Sequence, residues 1–400
     1  MNRASLLHII ERLEAFLGKL PATIQKPVMH ELTPLKELFL QQRPPRFVLT
    51  GANKLPVQEI LTLLFASVSL AESRDILMEL FRWQPIDLGG QGTIDLLDAR
   101  GAGARTMPNI QEELQHQPAD VFLHLADDAS LARDPSRDTA NLAVLIASNG
   151  PGRTAGKVIG IIIHDEMQAV RVMDNGENHS PTQANACSKL QDALQQELEI
   201  QKHLLQIFEL SFMTGGSIGH ETKADVQPFL SLLARELPNE ARIEMVRIAQ
   251  DREAQIEIAQ MLVKSTTAIC TAIGAQPIPL ADLPILAALQ LAMVSGIMYI
   301  SGRERSLRAA TEFVGALGVN VGAGMLLREG TRALLKFFPG WGNVVCGVVA
   351  GAGTYGIGRA AIVYFLEGVS LKDARRSYVA SRKRRAQPHL PTVQRVESSR

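Results

Sequence analysis

The feature that most constrains the fold is a series of apolar runs in the first half of the chain, each closing on a polar or glycine-containing turn. The runs occupy residues 46–51, 93–98, 119–126 and 158–163. Helical patterns follow two of them, at residues 60–65 and 109–117. Apolar strands that alternate with helices typically form a parallel sheet covered on both faces. We therefore predict an α/β domain with a parallel sheet.

The first apolar run ends where a phosphate-binding loop would begin. Counted from Gly51, the template G-x-x-x-x-G-K-[ST] puts its second glycine, its lysine and its hydroxyl residue at Pro56, Val57 and Gln58. Proline has no N–H for a phosphate and cannot take a positive φ, valine carries no charge, and glutamine is a poor magnesium ligand. Lys54 is a nearby cation, but it precedes the template position. The sequence predicts the frame of the loop without its chemistry.

Two later segments extend this pattern. The second apolar run closes on Asp98-Ala-Arg-Gly101, a D-x-x-G sequence of the kind that places a magnesium-linked aspartate and a glycine near a γ-phosphate. The fourth run ends at His164-Asp-Glu-Met167, where a guanine-reading N-K-x-D would stand. Asparagine, lysine and the ring-binding aspartate are all missing there. We therefore predict that the chain has no guanine-binding motif.

In the order of these segments the chain resembles an Era-like GTPase domain of the TRAFAC class, over roughly residues 46–200. The segment that begins at Ala186 is matched to the serine-alanine turn and last helix of that family. The resemblance implies a degenerate P-loop G domain in which Gly51, Asp98 and Gly101 outline a vestigial nucleotide site, with Lys54 beside it. The departures from the motifs predict no catalytic residue, no cofactor and no metal.

The last third opens with Pro277-Ile-Pro-Leu-Ala-Asp282-Leu-Pro284 and an Ala-Leu-Gln-Leu run. These residues resemble the start of the YcjF-type domain of unknown function (DUF697), which often follows Era-like domains in bacteria. The resemblance continues to about Gly368 and implies a glycine-rich helical architecture. The fold class expected for the whole chain is therefore α/β followed by all-α.

Uncharged runs at residues 283–302, 313–327 and 337–358 raise the question of a membrane. A bilayer span needs roughly 20 apolar residues, and the first and third runs are about that long. The segments between the runs are all basic, however, which gives no orientation under the positive-inside rule. Small-residue stripes also allow close packing in soluble bundles. A helical bundle that touches a membrane and a set of spanning helices both stay open.

The end of the chain is basic. We predict a disordered tail over residues 371–400, in which a cluster attaches to anionic lipid; its members are Arg382, Lys383, Arg384 and Arg385. A solvated extension with no ligand is the alternative. Over the whole chain 41 basic residues balance 41 acidic ones, which argues against nucleic acid as a partner.

Cysteine usage and the N-terminus bear on compartment. The 3 cysteines show no C-x-x-C pairing, and the N-terminus lacks the uninterrupted apolar core of a signal peptide. We predict a cytoplasmic protein associated with the inner face of a bacterial membrane. A protein partner is expected, but the sequence does not identify it.

The predicted organisation has five parts. They are a helical segment at 1–44, the degenerate G domain at 45–212, a linker and helical connector at 213–275, the YcjF-type domain at 276–370 and the tail at 371–400. Within them we expect single helices over 189–212 and 239–272, the second capped by Asn239.

The function predicted from these patterns is that of a non-catalytic pseudo-GTPase, a scaffold or regulator at a bacterial membrane. One alternative is a divergent NTPase in which Lys54 replaces the missing lysine. Another is a membrane-inserted component of a transport or stress system, with the glycine-rich helices lining it.

Overall fold

The structure is a computed structural model, and it describes Lys26 and residues 41–54, 56–65, 81–88, 91–132, 136–150, 156–165, 182–212, 220–275, 282–318 and 341–386. Contacts between Cα atoms divide the chain into two compact units. One comprises residues 42–254, and the other comprises residues 1–41 with 255–400. The boundary between the sheet-containing unit and the helical unit therefore falls at 254/255, and the segment predicted as a connector is divided between them.

The first unit is built on a six-stranded sheet. Its strands are β1 (Arg46–Gly51), β2 (Trp83–Asp87), β3 (Thr93–Asp98), β4 (Val121–Asp127), β5 (Lys157–Asp165) and β6 (Leu204–Phe212). Their order across the sheet is β2-β3-β1-β4-β5-β6. Strands β3, β1, β4, β5 and β6 run parallel, and β2 runs antiparallel to β3. The sheet is thus mixed and mostly parallel.

Helices cover both faces of this sheet. They are α1 (Val57–Leu64), α2 (Met107–His116), α3 (Asp128–Leu131), α4 (Ser136–Ser148), α5 (Thr182–Gln196), α6 (Leu198–His203), α7 (His220–Glu236) and α8 (Asn239–Ala249). A core formed by α2, α4, α5 and α6 lies against one face and includes Val48, Phe122 and Ile162. The central strands are mostly apolar because both of their faces are buried.

The two outer strands correct the sequence prediction. An all-parallel sheet was expected, and β2 was overlooked because its polar residues and Pro85 are typical of an edge strand. The helix expected over 189–212 is wrong in its last third, where β6 pairs in parallel with β5. Leu204, Ile207 and Phe208 stand at helical spacing, but a short apolar run cannot be assigned by periodicity alone.

The helix predicted over 239–272 is also interrupted. Gln250 adopts a left-handed conformation with φ of 50°, which ends α8 and starts a new helix, α9 (Arg252–Gly274). The Asp251 carboxylate caps α9 by accepting the backbone N–H of Glu253 at 3.0 Å and of Ala254 at 3.2 Å. Pro238, not Asn239, occupies the N-cap position of α8.

Helices α7 and α8 belong to the sheet-containing unit. Lys157, at the start of β5, forms an ion pair of 2.6 Å with Glu236 at the end of α7. The buried Glu244 carboxylate of α8 accepts hydrogen bonds from the Gln42 side chain at 2.9 Å and from the Thr93 N–H at 3.2 Å. These contacts attach both helices to the amino ends of the strands, away from the loops that follow them.

The second unit is helical in its described part. After α9 it contains α10 (Asp282–Ile300), α11 (Leu307–Gly318), α12 (Trp341–Ala361), a π-helical turn (Ile362–Leu366) and α13 (Leu371–Ala386). The structure corrects the predicted tail, since residues 371–386 form a helix. Ser370 begins it by bonding to the Asp373 carboxylate at 2.7 Å, and Ala374 and Tyr378 are buried.

Candidate functional site

The predicted nucleotide-site residues lie where β1, β3 and β4 end. Strand β1 sits between β3 and β4, so the chain leaves it in one direction toward β3 and later returns on the other side to form β4. In open α/β sheets ligands bind at the carboxyl ends of strands beside such a reversal. The structure brings Gly51 and Asp98 to this edge, with Lys54 and Gly101 in the loops that follow.

Gly51 has a structural reason to be glycine that involves no ligand. Its φ is 86°, and a Cβ atom there would collide with the carbonyl oxygen of Leu125 at the end of β4. That same oxygen accepts a hydrogen bond of 2.8 Å from the N–H of Ala52. The first N–H group of the loop is therefore bonded to the protein itself.

The Asp98 carboxylate is engaged by an arginine within its own motif. Arg100 donates to it from Nε and from Nη2, both at 2.8 Å, and from its backbone N–H at 3.1 Å. Both side chains are buried. A two-pronged bond between a guanidinium and a carboxylate is a strong form of the ion pair. Arg100 thus supplies the positive charge that a metal ion would bring to this aspartate.

The two remaining predicted residues differ in environment. Gly101 has a φ of 68°, and a Cβ there would lie 3.0 Å from the Asn53 side-chain amide, so the turn favours glycine. Lys54 is exposed in the loop between β1 and α1. Helix α1 begins directly after Pro56, as the phosphate-loop frame predicts, but no side chain caps it.

The cleft at this edge is small. It is lined by residues of β1, the turn after β3 and helix α4, among them Thr50, Ala99, Asp138 and Asn141, and its cavity volume is about 20 Å³. A cavity of that size holds roughly one water molecule. Sites for drug-sized ligands commonly measure about 300–1,000 Å³. This cavity by itself is too small to enclose a nucleotide.

His124 of β4 lies beneath the same edge and is a core residue. Its ring is buried, and Nδ1 lies 3.0 Å from the Thr50 hydroxyl on β1. Burial lowers the pKa of the imidazole to about 4. A neutral ring bonded to a neighbouring strand is a structural group.

Two segments that the sequence analysis matched to GTPase motifs lie elsewhere in the fold than those motifs require. His164 and Asp165 belong to β5 itself, with His164 opposite Ser211 of β6, while residues 166 and 167 lie outside the described residues. Ala186 lies inside α5, between β5 and β6. The match to a serine-alanine turn is therefore wrong, because such a turn would follow the last strand, at residues 213–219, which are also outside the described part.

The helical unit is packed through glycines. A Cβ on Gly358 of α12 would lie 2.5 Å from Val263 of α9, and one on Gly347 would lie 2.9 Å from Ala275. Helices α9 and α12 are therefore antiparallel and in close contact. Gln290 of α10 donates to the Thr354 hydroxyl of α12 at 2.9 Å inside this packing. Burial also raises the pKa of the Cys270 thiol to about 12, so it is not a reactive thiolate.

Two helical segments are long and apolar enough to cross a membrane by length and composition, Arg252–Gly274 and Gly347–Leu366. In each, 56% of the most apolar stretch is buried inside the protein, as in the core helices of soluble bundles. The predicted lipid-binding cluster lies in the last turn of α13. Its side chains, those of Arg382, Lys383, Arg384 and Arg385, are outside the described residues.

The chain has a partial relative among known proteins. No protein-family model matches the chain. The chain is similar to Magnetosome membrane protein 22 of Magnetospirillum gryphiswaldense, with 30% identity over 132 residues. The matched part covers 30% of this chain and 66% of that protein, just under two thirds of its length. The mostly parallel sheet is compatible with a GTPase-like domain, and the relative is by name a membrane protein.

Proposed function

We propose that the chain is a non-catalytic pseudo-GTPase, a scaffold or regulator that associates with the surface of a bacterial membrane. The observation that carries the proposal is the buried fork between Arg100 and Asp98. A magnesium ion would have to displace this guanidinium from the carboxylate, which would break the buried ion pair. Loss of one partner of a buried ion pair typically costs about 3–5 kcal/mol.

The other loop residues support the same reading. The Ala52 N–H is bonded to Leu125, Pro56 brings no N–H, and Val57 brings no charge. A phosphate would therefore find few donors along the turn. On this proposal the turn is a vestigial nucleotide loop, in which the Ala52 N–H and the Asp98 carboxylate are already bonded within the protein.

Peripheral association is favoured over membrane insertion by helix α13. Gly356 of α12 packs against Tyr378 of α13, where an added Cβ would lie 2.8 Å from the ring. The chain reverses between Leu366 and Leu371, so the strongly basic α13 runs back along α12. If α12 crossed a bilayer, these basic residues would be carried into the hydrocarbon, at a cost of about 2.5–3.5 kcal/mol each near its centre.

Calorimetric titration of the purified protein with GTP and ATP, with and without magnesium, tests the proposal. We expect no binding at micromolar concentrations. A dissociation constant near 1 μM, which corresponds to about −8 kcal/mol, would contradict it. In that case Lys54→Ala should abolish binding, and the divergent NTPase would become the better description.

A further inference from the structure

One end of the helical bundle carries arginines stacked on aromatic rings. We call this group the collar and define it as Tyr299, Arg303, Arg305, Phe313, Tyr364 and Phe365. The Arg303 guanidinium lies 5.0 Å from the ring centre of Phe365 and 5.9 Å from that of Tyr364, and the Arg305 guanidinium lies 4.0 Å above the ring of Tyr299. Phe313 packs on the first of these groups, with its ring 4.9 Å from that of Phe365 and 5.4 Å from that of Tyr364.

The collar forms one level of the bundle because α10 and α12 run parallel. Gln290 bonds to Thr354, and Gly358 packs against Met293. Met293 lies opposite the residue 65 positions later, and the same separation puts Tyr299 at the level of Tyr364 along the bundle. Two of the most apolar helices of the chain therefore end together, at aromatic residues followed by arginines.

Charge distinguishes Arg303 from the other arginines nearby. Arg308 pairs with Glu312 at 3.0 Å, and Arg359 pairs with Glu367 at 3.1 Å. Among the described residues Arg303 has no carboxylate partner within ion-pair distance; its exposed guanidinium is held by the two rings. A stacked, prepositioned guanidinium loses little freedom when it binds an anion, and its fork suits phosphate.

We propose that the collar is the surface on which this protein docks to anionic phospholipid. Arg303 and Arg305 contact headgroup phosphates, and the partly exposed rings of Tyr299, Tyr364 and Phe365 lie at the headgroup level, where aromatic side chains concentrate, while the buried Phe313 supports them from inside. This inference rests on the membrane association proposed above, and it places the contact at the end of the bundle. The helices themselves stay outside the hydrocarbon.

The collar and the basic cluster at the end of α13 are separate places. Helix α13 starts just after the π-helical turn that carries Tyr364 and Phe365, and it runs away from them along α12. At about 1.5 Å per residue its last turn lies about 20 Å farther along the bundle. Variants in the two regions therefore report on different surfaces.

Sedimentation of the full-length protein with vesicles of phosphatidylcholine, alone or with phosphatidylglycerol, tests the proposal. We expect binding only to the mixed vesicles. Each arginine near an anionic surface strengthens binding about fivefold, so Arg303→Gln should weaken it about fivefold and the double change with Arg305→Gln about 25-fold. Arg308→Gln combined with Glu312→Gln is the matched control, because it removes a neighbouring ion pair without changing the net charge; it should change binding less than twofold. Circular dichroism checks that each variant is folded.

The outcomes distinguish a failure of membrane association from a failure of the collar alone. If the unaltered protein ignores mixed vesicles, membrane association fails and the collar fails with it, which would favour an acidic protein partner. If the unaltered protein binds but Arg303→Gln binds equally well, only the collar is wrong. Loss of binding confined to a variant with alanine at Arg382, Lys383, Arg384 and Arg385 would also overturn the collar and assign the contact to α13.

Discussion

At the scale of single residues, Arg100 decides what the candidate site can do. The D-x-x-G spacing identified Asp98 and Gly101 from sequence, and the structure places them at the predicted sheet edge. Nothing in the template draws attention to the third residue of the motif. The fork depends on the conformation of the turn after β3, which brings the Arg100 side chain back to the carboxylate of Asp98. An arginine inside an acidic motif is the signal that would have suggested it.

The fork leads to a stability prediction. Arg100→Ala leaves a buried Asp98 carboxylate without a counter-charge, so we expect the free energy of unfolding to fall by about 3 kcal/mol. Adding Asp98→Asn should restore part of the loss, because the uncompensated charge is then removed. Urea denaturation of both single variants and the double variant measures this coupling.

The matched control is an ion pair on the surface. In the pair between Arg308 and Glu312 the side chains are 91% and 66% exposed, so Arg308→Ala should cost under about 1 kcal/mol. Equal losses for Arg100→Ala and Arg308→Ala would contradict the importance assigned to the fork.

His124 predicts a pH dependence of stability. Its pKa is about 4 in the folded protein and about 6.5 when unfolded, so the unfolded state binds more protons between these values. The contribution of neutral His124 is complete above pH 6.5 and is lost as the pH falls toward 4. We expect a loss of about 3 kcal/mol across this window.

Urea unfolding between pH 4 and 7 checks the His124 prediction. His124→Asn cannot titrate there but can still bond to Thr50, so the difference in stability between it and the unaltered protein should shrink as the pH falls. His116→Gln, at a side chain that is 80% exposed, should keep the pH dependence of the unaltered protein. Parallel pH profiles for the unaltered protein and His124→Asn would refute the assignment.

At the scale of elements, burial decided which parts could be predicted. The central strands β1, β3, β4 and β5 were found because they are rich in buried apolar residues, which reflects cover on both faces. Strands β2 and β6 lie at the sheet edges, where one neighbour is missing and the pattern is mixed. The break at Gln250 could not be predicted either, since a left-handed non-glycine residue leaves no clear signal in sequence.

Helix α12 offers a direct test of glycine packing. Gly358 lies against Val263, so Gly358→Ala should push α9 and α12 apart and destabilise the protein by about 1–3 kcal/mol. Gly353 stands in the same helix with open space where its Cβ would be. Gly353→Ala should therefore stabilise the protein by about 0.5–1 kcal/mol through helix propensity.

Thermal unfolding of the two glycine variants compares them within one element. A lower midpoint for Gly358→Ala and a higher one for Gly353→Ala is the expected pattern. A higher midpoint for both variants would mean that propensity, and not close approach, governs this helix, and a lower midpoint for both would contradict the open space found at Gly353.

At the scale of the whole molecule, the prediction of an α/β domain followed by an all-α region is confirmed at that level. The resemblance to a YcjF-type domain stays a prediction, and so does the assignment of a P-loop. Sequence could not separate a spanning helix from a buried one, because α12 is apolar on every side in either case. The packing of α13 along it, on which the proposal of peripheral association rests, is a tertiary contact.

Membrane attachment is the prediction at this scale. Peripheral binding through basic groups is screened over about 10 Å at 0.1 M salt, so a wash at 1 M salt should release the protein from bacterial membranes. Truncation at Leu371 removes α13 and uncovers α12. Comparing this variant with the unaltered protein distinguishes surface attachment of the intact bundle from insertion of its helices. We expect salt to release the unaltered protein. If only detergent releases it, the helices are inserted and the peripheral arrangement is wrong.

The fork at Asp98 has a consequence for control. The conformation of a GTPase depends on whether triphosphate or diphosphate is bound, and it changes back at the rate of hydrolysis. On the proposed function, a chain that carries its own counter-ion at that position lacks this nucleotide-dependent switch. Its conformation therefore does not follow the nucleotide levels of the cell. Its output would instead scale with how many copies are made and where they are placed, so the promoter and the docking surface become its regulators.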